Sequence, residues 1–389
     1  MKKRGSKILI CFIFLLALFA PTGFAEETKV DLAEDASSAI LIERDTGTVL
    51  FEKEADKKLP PASMTKIMTM LLIMEALDEG KIKINDKVRT SELAASMGGS
   101  QIFLEAGEEM TVDEMLRGIA IASGNDASVA MAEHIAGSHD GFIEMMNNKA
   151  KELGLQNTSF KNPTGLPAAE HYSTARDMAI MAKELLKYDS ITKYTGVYED
   201  YLRENTDKKF WLVNTNRLVK FYPGVDGIKT GFTNEAKYCL TATAKKDGMR
   251  VIAVVMGAPT PKDRNRQITK MLDFAFSQYR THPMYERNQP LSKVKVSKGD
   301  KSTINAVTSE PISLLTKKGE SVDDVEQEII INENSKAPIN KGDELGKLIL
   351  KKGDKILVES PLVANTEVKA ATWWNLLKRT IGDFAKYSN

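Results

Sequence analysis

Ser38 to Glu43 and Thr48 to Glu52 are short, largely apolar runs joined by the turn residues Asp45-Thr46-Gly47, which predicts two paired strands. Helical spacing then dominates to about residue 190. From Met64 to Leu77 apolar residues fall on nearly every side, with Ile67, Met70, Leu71, Met74 and Leu77 at helical intervals. A helix that is apolar all round is a buried one. Thr111 to Ile121, Asp126 to Ile135 and Phe142 to Leu153 read as amphipathic helices. Strand patterns return at Val225 to Thr230, Tyr238 to Ala244 and Arg250 to Gly257, followed by a helix from Lys262 to Tyr279. Strands at both ends of a helical middle predict one sheet closed by both ends of the segment, with an inserted helical lobe.

Beyond about residue 285 the texture changes. Val294 to Val296, Ile304 to Val307, Ile312 to Leu315, Glu328 to Ile331, Leu348 to Leu350 and Ile356 to Glu359 form short runs separated by Gly- and Asn-rich breaks. They predict a small all-β domain of sandwich type over 284–368. In the last segment, 369–389, Trp373, Trp374, Leu376, Leu377, Ile381, Phe384 and Ala385 share one helical face, broken by Thr380. Lys378, Arg379, Asp383 and Lys386 take the other. That pattern suits an amphipathic helix lying in a membrane surface. At the other terminus, Lys2, Lys3, Arg4 and Lys7 precede an apolar run, Ile8 to Ala20. Gly23 and Ala25 follow, as in a cleavable secretory signal over 1–25. The expected location is therefore extracytoplasmic, on the outer face of the cytoplasmic membrane.

Composition changes this picture little. The 389 residues are 42% hydrophobic, enough for real cores, and the formal net charge of +1 supplies no field that would draw nucleic acid. Of the two cysteines, Cys11 falls in the signal, which leaves Cys239 alone in an apolar strand and excludes an intramolecular disulfide in a processed chain.

Three short motifs carry the chemistry. Ser63-Met64-Thr65-Lys66 places a hydroxyl and an amine at i and i+3 on one helix face, where the amine can take the hydroxyl proton. Ser63 follows Pro60-Pro61-Ala62 at the start of the buried helix, where free N–H groups favour developing negative charge. The same S-x-x-K pattern recurs at Ser190/Lys193 and Ser292/Lys295, where a solvated surface pair is the better reading. Ser123-Gly124-Asn125 lies between two helical segments, and Lys229-Thr230-Gly231 at the end of a predicted strand. Each is weak alone. In the order S-x-x-K, S-x-N, K-T-G they form the set that marks penicillin-binding proteins and class A β-lactamases, and only Ser63 precedes Ser123.

On these residues the chain resembles the low-molecular-weight penicillin-binding D-Ala-D-Ala carboxypeptidases. Pro61 to Lys66, Ala122 to Ala127, Leu153-Gly154-Leu155, Asn157-Thr158 and Asn162 to Leu166 carry the likeness. It implies an α+β fold: a β-lactamase/DD-peptidase-like domain over 31–283 with an antiparallel sheet and helical lobe, then the β domain and C-terminal helix. It implies Ser63 as acylated nucleophile, Lys66 as base and Ser123 as proton relay. Asn125, Lys229, Thr230, Gly231 and Phe232 would bind substrate, and the N–H groups of Ser63 and Phe232 would form an oxyanion hole. The partners implied are peptidoglycan stem peptides ending in D-Ala-D-Ala, β-lactam antibiotics as acylating inhibitors and a membrane surface. The setting implied is cell-wall maturation, with sporulation suggested by likeness alone. Phe232 stands where some members carry His.

No cofactor or metal is called for: His134, His139, His171 and His282 lack ligand spacing. His171 falls where a loop could line the site. A β-lactamase would share all three motifs and add a water-activating glutamate. Glu152 sits in a tempting place, but with one residue too many before Asn157 and on an exposed helical face. A transpeptidase and an inactive penicillin-binding sensor also stay open.

Overall fold

The computed structural model describes residues 31–332 and 335–374. The expected signal segment and nearly all of the expected C-terminal helix lie outside them. In chain order the strands are β1 (Ser38–Glu43), β2 (Val49–Lys53), β3 (Lys87–Arg89), β4 (Glu109–Thr111), β5 (Glu199–Leu202), β6 (Phe210–Val213), β7 (Val225–Thr233), β8 (Lys237–Lys246) and β9 (Met249–Ala258). Five of these make one antiparallel sheet in the order β2-β1-β9-β8-β7, so both ends of the segment do close it. The period-2 alternation of a strand decides its two faces. In β1, Ile40 and Ile42 face the helical lobe, while Ala39 and Leu41 face the helix Pro261–Gln278; β9 splits the same way, with Ile252 and Val254 against Val251 and Val255. Both faces are covered, which explains why these strands read as continuous apolar runs.

The helix Lys66–Asp78 runs through the centre of the lobe, and ten of its residues are buried. Expected to begin at Met64, it is instead preceded by a 3-10 turn, Ala62–Thr65, entered through Ala62 at φ +48°. Around it stand the helices Val112–Ala120, Asn125–Ala136, His139–Glu152 and Ala175–Leu185. Thr111 and Glu114 form a reciprocal capping box at the first of these. The buried Asp126 carboxylate accepts from the backbone N–H of Ile102, Leu104 and Ala127, which pins the loop 98–104 over the start of the helix Asn125–Ala136.

The second domain contains β10 (Tyr279–Tyr285), β11 (Pro290–Lys295), β12 (Thr303–Thr308), β13 (Ile312–Lys317), β14 (Glu326–Ile331), β15 (Glu344–Lys352) and β16 (Lys355–Ala364). A five-stranded antiparallel sheet in the order β11-β12-β16-β15-β14 packs with the β10–β13 pair around its own core, including Val294, Ile304, Leu314, Leu348 and Leu362. The expected boundary between 283 and 284 falls inside β10, which follows the helix Pro261–Gln278 without a break and pairs with β13. No glycine marks that junction. Ser313 donates to Asp45 and Thr281 to the buried Glu43, tying the domain to the β1–β2 turn. Burial holds the Glu43 carboxyl above the ordinary range. At the end of the described residues, Trp373 and Trp374 are exposed. No helix among the described residues is long and apolar enough to cross a membrane.

Candidate active site

The 3-10 turn and the helix Lys66–Asp78 bring Ser63 Oγ and Lys66 Nζ to 3.2 Å. Lys66 is wholly buried, and among the described residues no carboxylate pairs with it. Its other partners are Asn125 Oδ1 at 2.6 Å and the Thr164 carbonyl at 2.8 Å. Burial, followed by the nearby Lys229 charge, pushes the Lys66 amine well below its ordinary value, against a smaller opposing pull from Asp126. A neutral amine has two hydrogens and one lone pair. In that form Asn125 Oδ1 and Thr164 O, both obligate acceptors, would take the two hydrogens and the lone pair would face the serine hydroxyl.

The second motif joins the helices Val112–Ala120 and Asn125–Ala136. Ser123 is buried and left-handed, at φ +64°. Strain in a non-glycine residue of this kind concentrates at functional positions. Its hydroxyl makes no hydrogen bond to Ser63 or Lys66, so the expected relay has no preformed link. The Asn125 amide is more heavily engaged than the sequence suggests: Oδ1 accepts from Lys66 and Nδ2 donates to the Gly98 carbonyl at 2.6 Å. One amide hydrogen is left for a substrate, and its first service is to orient Lys66.

The third motif lies inside β7 rather than at its end, because the strand continues to Thr233 before turning back into β8, and Phe232 stacks on Tyr238 across that pair with centroids 4.4 Å apart. β7 is an edge strand, so a free backbone edge is available. A Cβ on Gly231 would lie 2.7 Å from the Pro61 carbonyl and 3.2 Å from the Ser63 nitrogen. Glycine is therefore what lets strand and serine turn touch. Lys229 is buried, and burial together with Arg264 lowers its amine to about 7. Thr230 Oγ1 lies 2.7 Å from Thr215 Oγ1. Phe232 itself is 49% exposed.

Several participants carry no mark in the sequence. Arg264, on the helix Pro261–Gln278, is buried, and among the described residues its only side-chain hydrogen-bond partner is Asn265 Oδ1 and no carboxylate pairs with it or with the buried Lys229. Thr164, Gly165 and Thr215 reach the site through long-range contacts that no spacing could reveal. His171, noted as a possible loop residue, is buried. Its Nδ1 accepts from the Lys161 N–H, which leaves Nε2 to donate to Thr65 Oγ1 at 2.8 Å. Burial lowers its pKa to about 4, so the ring is neutral and holds the loop against the serine turn.

Other expectations resolve simply. Ser190 and Lys193 are exposed at the surface, and Ser292 and Lys295 lie along β11, away from these groups. Glu152 is 65% exposed and paired with Lys149, which removes it as a water-activating group. Cys239 is buried in β8. Among the described residues no three His, Cys, Asp or Glu side chains are grouped to hold a metal ion.

A serine at a helix mouth, a buried lysine amine one turn on and a strand edge carrying Lys229 define an active-site-serine acyl-transfer enzyme of the penicillin-binding class. Residues 25–260 match the D-alanyl-D-alanine carboxypeptidase family, peptidase S11, and residues 279–370 match the C-terminal domain of penicillin-binding protein 5. The chain belongs to that family and has its DD-peptidase fold with a C-terminal all-β domain. It is 68% identical over 390 aligned residues to D-alanyl-D-alanine carboxypeptidase DacF of Bacillus subtilis, covering all of both chains. It is 37% identical to DacC of Escherichia coli, over 94% of this chain and 92% of that one. Penicillin-binding protein 5 from Haemophilus influenzae superposes with a TM-score of 0.67 at 32% identity, covering 86% of this chain and 98% of that chain.

Proposed function

We propose that the chain removes the terminal D-alanine from peptidoglycan stem pentapeptides through an ester on Ser63. Lys66 takes the Ser63 proton as Oγ attacks the carbonyl between the two D-alanines. The peptide C–N bond breaks as Ser123 gives its hydroxyl proton to the leaving amine and takes the one on Lys66, which returns the lysine to its neutral form. Water, deprotonated by the same lysine, then hydrolyses the ester and restores Ser63. The N–H groups of Ser63 and Phe232 receive the oxyanion. Lys229 and Thr230, with Arg264 behind them, hold the terminal carboxylate, which supplies the counter-charge those two buried cations lack. Asn125 holds the substrate backbone and aims Lys66. A β-lactam presents a similar carbonyl and carboxylate and so acylates the same serine.

The observation that carries this reading is the 3.2 Å approach of a buried, carboxylate-free lysine amine to the Ser63 hydroxyl. Mass spectrometry of the protein with a D-Ala-D-Ala pentapeptide tests it. Wild type should release one D-Ala, and Ser63→Ala none; release by Ser63→Ala at the wild-type rate would reject the assignment.

The proposal extends to setting. The sequence pattern of 1–25 supports export, and that of 369–389, with Trp373 and Trp374 exposed at its start, supports attachment to the outer face of the cytoplasmic membrane. Cell-wall maturation, with sporulation as its occasion, rests on the family resemblance.

A further inference from the structure

A cavity of about 560 Å³ opens beside the serine turn. One wall is Lys58 to Ala62, the segment leading into Ser63. The second is the loop Gly165 to Tyr172, and the third is Thr233 and Glu235, where β7 ends. None of these side chains has a part in the reaction above. The loop wall is rigidly held: the buried His171 ties it to Thr65, and Gly165 lies so close that a Cβ there would sit 1.8 Å from the Ala62 carbonyl.

The direction of β7 says what passes over this cavity. A substrate whose terminal carboxylate sits at Lys229, Thr230 and Arg264 has its scissile carbonyl opposite Ser63 and Gly231. Its preceding residues then run past Phe232 toward Thr233 and Glu235. At about 3.3 Å per strand residue, the second or third position beyond the scissile bond lies roughly 7–10 Å on, over the cavity.

Two carboxylates, Glu170 and Glu235, line that volume. Among the described residues neither has an ion pair or a side-chain hydrogen bond. The third charge, Lys58, is held with its ammonium over the Tyr172 ring at 4.7 Å. A cavity in the path of the substrate, with two uncommitted carboxylates and a cation parked at one side, is built for an ammonium-bearing side chain. Lys58 adds a partner for a carboxylate carried beside that ammonium.

We propose that this cavity is a specificity site for the amino end of the diamino acid that precedes D-Ala-D-Ala in the stem, with Glu170 and Glu235 receiving its ammonium. This rests on the Ser63 carboxypeptidase reading. It gives the cavity a task that reading does not need: distinguishing stems whose amine is free from stems whose amine is acylated by a cross-link.

The test compares kcat/KM for D-Ala release from two pentapeptides. One has lysine immediately before D-Ala-D-Ala, and the other is the same peptide acetylated on the lysine amine. Wild type should prefer the free amine by about 10-fold, the factor for roughly 1.4 kcal/mol of charge pairing. The double variant Glu170→Gln/Glu235→Gln should bring the ratio close to one, through lower kcat/KM on the free-amine peptide. Both side chains are exposed, so folding is not at stake. A wild-type ratio near one, or an undiminished preference in the double variant, would overturn the proposal. Failure of wild type to release D-Ala from either peptide would remove the carboxypeptidase reading and this site with it.

Discussion

Replacing Lys66 by methionine should slow acylation of Ser63 by a fluorescent penicillin about 10⁴-fold, the upper range for removing a general base. That corresponds to roughly 5 kcal/mol of barrier. Methionine fills similar volume and carries no polar atom to desolvate, so the chain should still fold. It leaves Asn125 Oδ1 and the Thr164 carbonyl without their donor. Buried acceptors of that kind cost about 1–3 kcal/mol each, so urea denaturation should read a loss of about 2–6 kcal/mol, and labelling is compared on the folded protein. Lys66→Arg separates charge from basicity. A guanidinium stays protonated at any working pH, so it too should lose the 10⁴-fold although it keeps the cation. Substantial activity in Lys66→Arg would mean that charge alone suffices, and the base assignment would be wrong.

Gly165→Ala should damage stability and acylation together. The backbone there is at φ +82°, and a Cβ would fall 1.8 Å from Ala62 O and 2.9 Å from Thr65 Oγ1. Left-handed backbone costs an alanine about 1 kcal/mol. The overlap cannot be relieved by a side-chain rotation, because its target is the main chain just before Ser63. We expect a loss of about 3 kcal/mol or more in denaturant unfolding, within the severe tail for point substitutions. We also expect at least ~10²-fold slower penicillin labelling, since displacing a nucleophile by an ångström costs about that much. Gly154→Ala is the control. Its φ is +70°, but no atom lies within 4 Å of the added Cβ. It should cost about 1 kcal/mol by backbone conformation alone and leave labelling unchanged. Equal effects at the two positions would show that backbone preference, not the loop's contact with the serine turn, accounts for the damage at Gly165.

What the sequence discloses follows the range of the physics involved. Ser63 and Lys66 are three residues apart on one helical turn, so their meeting is a local fact, legible from spacing. The buried helix and the central strands are legible too, because burial on all sides removes polar residues from every position. The lysine's remaining partners come from 59 and 98 residues away. Nothing in a local pattern marks the Thr164 carbonyl, a main-chain atom, as half of what aims the base. Arg264 was hidden for a related reason: on an amphipathic helix an arginine reads as solvated, and only the packing of that helix on β8 and β9 buries it near Lys229. The junction at β10 has no local signal of this kind, because a helix passes directly into a strand there without a glycine break. Asn125 looked like a substrate ligand, and tertiary structure gives most of its amide to Lys66 and Gly98.

The charge state of the Lys66 amine in the resting protein is the most direct test. NMR titration of the chain labelled with ¹³C at the lysine side chain, assigned by comparison with Lys66→Met, would follow that amine. We predict that Lys66 gains its proton only well below the ordinary lysine range, being neutral where the protein is active, and that Lys229 titrates separately at about 7. A Lys66 signal that stays protonated up to the ordinary lysine pKa of about 10.4 would contradict the account.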